Sequence, residues 1–221
     1  MALKIKDYSL YLVISEECGL GRNALEIAAP ALAGGVDIIQ MREKNKPYDE
    51  LIKLGRGLAA LCKKNNAVFI VNDSPLLAQE SDADGVHLGQ KDMGEYSVSK
   101  AREIIGAGKI IGVSTHSLPE FQKANAEDVD YIAYGPVFPT KTKDYFIGTQ
   151  GIKEVLKTAK KPVVFIGGIN LLNLDEILKE GAKTIAVIRA LIQSEDISAN
   201  ARAFKDKLNK RRSEEYNENQ N

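Results

Sequence analysis

The chain has no tryptophan, only two cysteines and two histidines, and 6% aromatic residues. It also lacks an excess of either charge, because 30 Lys+Arg face 30 Asp+Glu. With a pI near 6.8, it does not carry the basic footprint of a protein that grips nucleic acid through phosphates, and no nucleic-acid partner is expected. No apolar run approaches the roughly 18–20 residues that span a bilayer, so no membrane partner is expected either. The start, MALKIKDYSLYLVISEE, lacks a small-residue cleavage site and reads as a first strand rather than a secretory signal. A cytoplasmic protein is the expectation. Cys18 and Cys62 match no zinc or redox spacing and read as reduced structural thiols.

What is present is an ordinary globular composition, 44% hydrophobic and 27% charged, over 221 residues. That length suits one closed core, since single α/β barrels need roughly 200–250 residues. Eight short β-branched runs recur along it: Tyr8–Ile14, Val36–Met41, Ala67–Val71, Gly85–Leu88, Ile110–Val113, Tyr131–Tyr134, Pro162–Ile166 and Thr184–Ile188. Each is continuously apolar, as strands of a parallel sheet buried on both faces must be. Between them lie stretches with helical spacing, such as Leu51, Leu54, Leu58 and Leu61; Pro47 and Pro119 stand near the starts of two. Strand and helix alternate in units of roughly 25–30 residues, which calls for βαβ crossovers. A closed (β/α)8 barrel and a doubly wound open sheet both satisfy this pattern. The expected organisation is a catalytic barrel over 1–210, its final helix near Ser198–Leu208, then a polar, disordered tail over 211–221.

In either parallel architecture the ligand sits at the C-terminal ends of the strands. The residues just after each run are Gln40, Arg42 and Lys44; Asn72 and Asp73; Gln90 and Asp92; Ser114, Thr115 and His116; the loop Pro139–Lys143; Gly167-Gly168; and Arg189. Cations with hydroxyl and amide donors suit phosphate. Two carboxylates on neighbouring strand ends suit Mg²⁺, which takes one or two carboxylates and fills its octahedron with substrate phosphates and water. A Mg²⁺-bound diphosphate fits this set better than a phosphomonoester alone. Gly167-Gly168 allows backbone amides to approach a second, metal-free phosphate.

Each piece alone also has a plain structural reading. Asp73 and Asp92 suit turns or helix caps, Arg42 and Lys44 a solvated charge alternation, and Gly167-Gly168 a common turn. His87, inside an apolar run, reads as a packed core histidine, and His116 as a hydrogen-bonded loop histidine or an active one. The functional reading rests on their convergence at strand ends.

Six stretches resemble the thiamine-phosphate synthase (thiamine-phosphate pyrophosphorylase) family: IIQMREK (Ile38–Lys44), VND (Val71–Asp73), DGVHLGQKD (Asp84–Asp92), IGVSTHS (Ile111–Ser117), YGPVFPTKTK (Tyr134–Lys143) and FIGGI (Phe165–Ile169). The resemblance implies a (β/α)8 TIM barrel and the joining of a hydroxymethylpyrimidine diphosphate to a thiazole phosphate, with release of pyrophosphate. It implies a pyrimidine diphosphate site of Gln40, Met41, Arg42, Glu43, Lys44, Asn72, Ser114 and Lys143, with Arg42, Lys44, Ser114 and Lys143 closest to the chemistry. Asp73 and Asp92 match the Mg²⁺ ligands. Thr140, Lys141, Thr142, Gly168, Ile188 and Arg189 match the thiazole phosphate site. A homo-oligomer is compatible with the resemblance.

The chain departs from the family at the last pair. The family has Val-Ser in a stretch like VAVVSAI, where this sequence reads Ala186-Val187-Ile188-Arg189-Ala190-Leu191. A planar cation replaces a small hydroxyl, so Arg189 either reaches the thiazole phosphate or folds away from it. The family mechanism implies ionisation to a pyrimidine cation, so water must be kept out. The stretch Thr140–Gly151 is the candidate closing loop. Two alternatives remain: the related thiazole tautomerase, whose members tend to lack the paired carboxylates, and a non-catalytic thiamine-precursor-binding protein, suggested by Arg189.

Overall fold

In the computed structural model, which describes residues 5–90, 95–141, 143–218 and 220, the eight runs form eight strands. They are β1 (Leu10–Ile14), β2 (Ile38–Met41), β3 (Val68–Asn72), β4 (Gly85–Leu88), β5 (Ile110–Thr115), β6 (Tyr131–Tyr134), β7 (Val163–Ile166) and β8 (Thr184–Val187). All neighbours pair in parallel in sequence order. β1 then pairs with β8 through Leu10↔Ile185, Tyr11↔Ala186 and Leu12↔Val187. That last seam closes a barrel and excludes the open sheet.

Helices α1 (Ala24–Ala33), α2 (Tyr48–Lys64), α3 (Pro75–Glu80), α4 (Val98–Ile105), α5 (Leu118–Ala126), α6 (Ile152–Thr158), α7 (Leu174–Lys179) and α8 (Arg189–Ile192) follow strands β1 to β8 in turn. Their starts are chemically marked. Asn23 and Glu26 form a reciprocal capping box on α1, Pro47 is the N-cap of α2, and Ser74, Ser97 and Ser117 accept from the first turns of α3, α4 and α5.

Strand period separates two cores. Leu12, Ile39, Phe69, Val86, Ile111, Ile132, Phe165 and Ile185 pack against the helices, whereas Tyr11, Ile38, Ile70, Ile110, Tyr131, Val164 and Ala186 fill the barrel. The N-terminal face has a repeated carboxylate motif. Asp37, Asp84 and Asp130, each just before the start of an even-numbered strand, accept from amides at the first or second residue of the preceding strands, Leu10 at 2.7 Å, Phe69 at 2.8 Å and Ile111 at 2.8 Å. These aspartates serve backbone donors that no neighbouring strand satisfies at that edge.

The expected tail after residue 210 is instead helical: α9 runs Ile197–Glu218. Its apolar stripe of Ile197, Ala201, Phe204 and Leu208 stops where the sequence pattern stops. Beyond it polar contacts carry the helix. Glu215 accepts from the Tyr8 hydroxyl and pairs with Lys183 at 3.0 Å, and Arg211 pairs with Glu214 at 3.6 Å. Both cysteines are free, and burial pushes the Cys62 thiol up to about 12, consistent with an inert structural residue.

Candidate active site

The strand C-termini gather most of the residues singled out in the sequence. Gln40, Asn72 and Ser114 stand at the inward-facing positions of β2, β3 and β5, as shown by their parity with Ile38, Ile70 and Ile110. Arg42, Glu43 and Lys44 follow β2 directly. Asp73 follows β3 and is half-buried, with φ 68° in the left-handed region that Asp and Asn tolerate best. Its amide donates to the His87 carbonyl at 2.8 Å, which fixes it to the end of β4. Asp92 and Thr142 lie outside the described residues.

Of the cations at this face, Lys46 pairs with Glu16 at 2.8 Å. Lys205, Lys207, Lys183 and Arg102 are each paired with a carboxylate. The side chains of Lys44, Lys141 and Arg189 make no hydrogen bond or ion pair among the described residues, and Lys143 lies over the Tyr145 ring at 5.8 Å. Several cations at one barrel mouth that meet no carboxylate among the described residues create a positive local field in a chain of zero formal net charge.

Two predicted residues do not point into the mouth. Met41 belongs to the outer core, where its side chain packs near Gly55 of α2, so only its backbone faces the site. The Glu43 carboxylate accepts from the Glu16 amide at 2.7 Å, tying the β2–α2 and β1–α1 loops together. Burial raises its pKa, opposed by that backbone hydrogen bond.

The Gly167-Gly168 turn adopts φ 104° and 67°, and a Cβ at Gly168 would lie 2.5 Å from the Pro139 carbonyl oxygen. Glycine is therefore required where the β7–α7 turn meets the β6–α6 loop. This contact sets Phe138 and Pro139, which lead into Thr140 and Lys141, against Gly168. Ile188 follows β8 and packs in the barrel interior, and Arg189 opens α8. His116 is a bonded loop histidine: Nδ1 donates to the Gly135 carbonyl at 2.7 Å, and its amide donates to Glu120 at 2.6 Å.

A family model described as thiamine monophosphate synthase matches residues 10–191. The thiamine-phosphate synthase of Persephonella marina is 41% identical over 202 residues, covering 90% of this chain and 95% of its own. The chain belongs to the thiamine-phosphate synthase family. Its members are transferases of thiamine biosynthesis, and the match spans every strand of the barrel. The thiamine-phosphate synthase of Methanocella arvoryzae is also 41% identical over 202 residues, 90% of this chain and 94% of that one. Among solved structures, thiamine phosphate pyrophosphorylase from Pyrococcus furiosus has TM-score 0.84 at 36% identity, covering 92% of this chain and 96% of that one.

Against this family frame, the structure adds residues that sequence reading did not place in the site. Tyr11, His87 and Tyr131 lie beneath Gln40 and Ser114, whereas Gln90, already among the strand-end residues of the sequence, donates its amide to the Ser114 carbonyl. The available signal was a polar residue inside an apolar run, as with His87 in GVHL. Among the described residues no helix is long and apolar enough to cross a membrane.

Proposed function

We propose that this chain condenses 4-amino-2-methyl-5-hydroxymethylpyrimidine diphosphate with 4-methyl-5-(2-phosphoethyl)thiazole, giving thiamine phosphate and pyrophosphate. The observation that carries the reading is the set of cations at the barrel mouth, Lys44, Lys141 and Arg189, that meet no carboxylate among the described residues. Such a field suits two anionic substrates. Arg42, Lys44 and Lys143, with Asn72, Gln40 and the Ser114 hydroxyl, take the pyrimidine diphosphate. Thr140, Lys141, Thr142, the Gly168 amide, Ile188 and Arg189 take the thiazole phosphate.

The donor set fits Mg²⁺. Asp73 offers carboxylate oxygens on a backbone fixed at a strand end, and hard divalent ions of this size accept one or two carboxylates plus phosphate oxygens. Asp73 and Asp92 are the residues that would hold it. When bound, the ion neutralises charge on the diphosphate leaving group.

Substitution is dissociative in this account, so no side chain serves as nucleophile. Arg42, Lys44 and Lys143 stabilise the charge that gathers on the departing diphosphate, and Ser114 holds it by hydrogen bonding. The thiazole site brings the ring nitrogen into line for capture. The loop Thr140–Gly151 excludes water; Tyr145 and Phe146 on it are 44% and 56% exposed, leaving aromatic surface to cover a bound substrate.

The test is an assay of the purified chain with both substrates and Mg²⁺, run beside one with the thiazole phosphate tautomer alone. Thiamine phosphate formation supports the synthase. Conversion of the tautomer without pyrophosphate supports a tautomerase, and binding of either ligand without turnover supports a precursor-binding protein.

A further inference from the structure

The barrel interior beneath the site holds a continuous hydrogen-bonded chain. His87 Nε2 lies 2.8 Å from Ser114 Oγ, and His87 Nδ1 lies 2.8 Å from the Tyr131 hydroxyl. The Tyr131 and Tyr11 hydroxyls are 2.9 Å apart, and the Gln40 side chain is the polar neighbour of the Tyr11 hydroxyl on its other side. The chain thus runs from one side of the mouth, at β5, down through β4 and β6 to β1, where it ends beside Gln40 of β2. Its middle is sealed: Tyr11 and Tyr131 are 2% and 0% exposed. The His87 ring stacks on Tyr131 with centroids 5.5 Å apart. Room for Tyr131 comes from Gly112, where a Cβ would lie 2.0 Å from the ring.

We infer that Tyr11, Tyr131 and His87 are positioning residues that couple the two polar ends of the pyrimidine diphosphate pocket, so that an anion at Ser114 turns the Gln40 carbonyl oxygen toward an amine on the pyrimidine. The inference rests on the proposed placement of Gln40 and Ser114 in that pocket.

The argument is a count of hydrogens. Each hydroxyl has one to donate, and so does the imidazole in its neutral form, so a fully satisfied chain built on that form points one way along its whole length. An anion at Ser114 requires the serine to donate outward, and Ser114 therefore accepts from His87 Nε2–H. His87 Nδ1 then accepts from Tyr131, Tyr131 from Tyr11, and Tyr11 from the Gln40 amide N–H. Burial holds both phenols well above their ordinary range, so neither loses its hydrogen at neutral pH. Gln40 is left with its carbonyl oxygen for the ligand, and a 4-aminopyrimidine offers the matching N–H. The opposite polarity would present the Gln40 NH2 and match a 4-oxo ring. Reversal requires every buried link to turn together, because one misdirected hydrogen leaves a buried polar group unsatisfied. Discrimination between amino and oxo rings thus comes from residues that touch neither.

The test compares binding of the 4-amino and 4-oxo pyrimidine diphosphates by calorimetry with Mg²⁺, in the wild type, Tyr131→Phe and Gln40→Met. Tyr131→Phe keeps the ring and breaks the relay at its centre. We expect the preference for the amino ring to fall about tenfold or more in this variant, with thiazole phosphate affinity unchanged. An unchanged preference in Tyr131→Phe together with a lost preference in Gln40→Met overturns the relay and leaves the pocket assignment standing. An unchanged preference in Gln40→Met overturns the pocket assignment and the relay with it.

Nitrogen NMR of the wild type with pyrophosphate bound gives an independent reading should Tyr131→Phe fail to fold. The chain has two histidines, and His116 must carry its proton on Nδ1, which faces a carbonyl. The relay predicts the opposite tautomer for His87, protonated on Nε2. Two Nδ1–H histidines would contradict it.

Discussion

The Asp73 amide donates to the His87 carbonyl at 2.8 Å across the β3–β4 seam, while the Asp73 backbone sits at φ 68°. This pair separates Asp73 from the other strand-end aspartates. Asp37, Asp84 and Asp130 use their carboxylates to satisfy backbone amides on the opposite face. At the β3–β4 seam Asp73 instead donates its own amide.

Asp73→Asn isolates the charge, because asparagine tolerates the same left-handed backbone. It is expected to lower kcat/KM by about 10²-fold, the scale of losing one preorganised electrostatic element, with little change in Tm. Activity equal to wild type at limiting Mg²⁺ would show that the carboxylate is structural. Asp73→Ala adds a backbone penalty of about 1 kcal/mol on top of the same loss.

Arg189→Ser restores the residue expected from the family resemblance. The Arg189 guanidinium makes no ion pair or hydrogen bond among the described residues, so a phosphate has no competitor for it. The variant is expected to raise KM for thiazole phosphate about tenfold, the loss of a charge-assisted hydrogen bond, with KM for the pyrimidine diphosphate unchanged. Tighter thiazole phosphate binding would show that Arg189 obstructs the site.

Gly112→Ala introduces a Cβ 2.0 Å from the Tyr131 ring, inside a closed barrel that has no direction in which to relax. Overpacking of this kind costs about 1–3 kcal/mol. Urea denaturation should show the loss as a lowered midpoint with an unchanged slope. A midpoint within error of wild type would mean that the Tyr131 ring has other room.

The strands were readable because each is a short β-branched run, and the barrel mouth because ligand residues follow those runs directly. Closure was not: the β1–β8 seam pairs residues at opposite ends of the chain, and eight βαβ units satisfy an open sheet equally well until the family resemblance enters. Met41 shows a second limit. It adjoins Gln40 in sequence, but strand parity sends one side chain to the helices and the other into the barrel. The relay needed both parity and the level at which each inward side chain sits, and the second of these comes from register between strands. The continuation of α9 was hidden because Glu215, Tyr8 and Lys183 supply it through contacts with no apolar period.

That tail has a pH signature. Hydrogen bonds from Tyr8 and Lys183 lower the Glu215 pKa, against the opposing effect of burial, which is the largest influence on it. A carboxylate held below its ordinary 4.5 contributes stability at higher pH, and that contribution is lost as pH falls through the folded-state value. Glu215→Gln should therefore lower the urea midpoint at pH 7 and converge with wild type on acidification. Because the Glu215 side chain is 31% exposed, the effect should shrink in high salt. Parallel curves at all pH values would remove Glu215 from the account of the tail.

The most direct test of the central claim is the ratio of pyrophosphate released to thiamine phosphate formed when the purified chain turns over both substrates with Mg²⁺. The account predicts equal amounts, because the mouth retains the ionised pyrimidine until the thiazole nitrogen captures it. No thiamine phosphate would contradict the function, and pyrophosphate in clear excess, matched by hydroxymethylpyrimidine, would contradict the water-excluding mechanism.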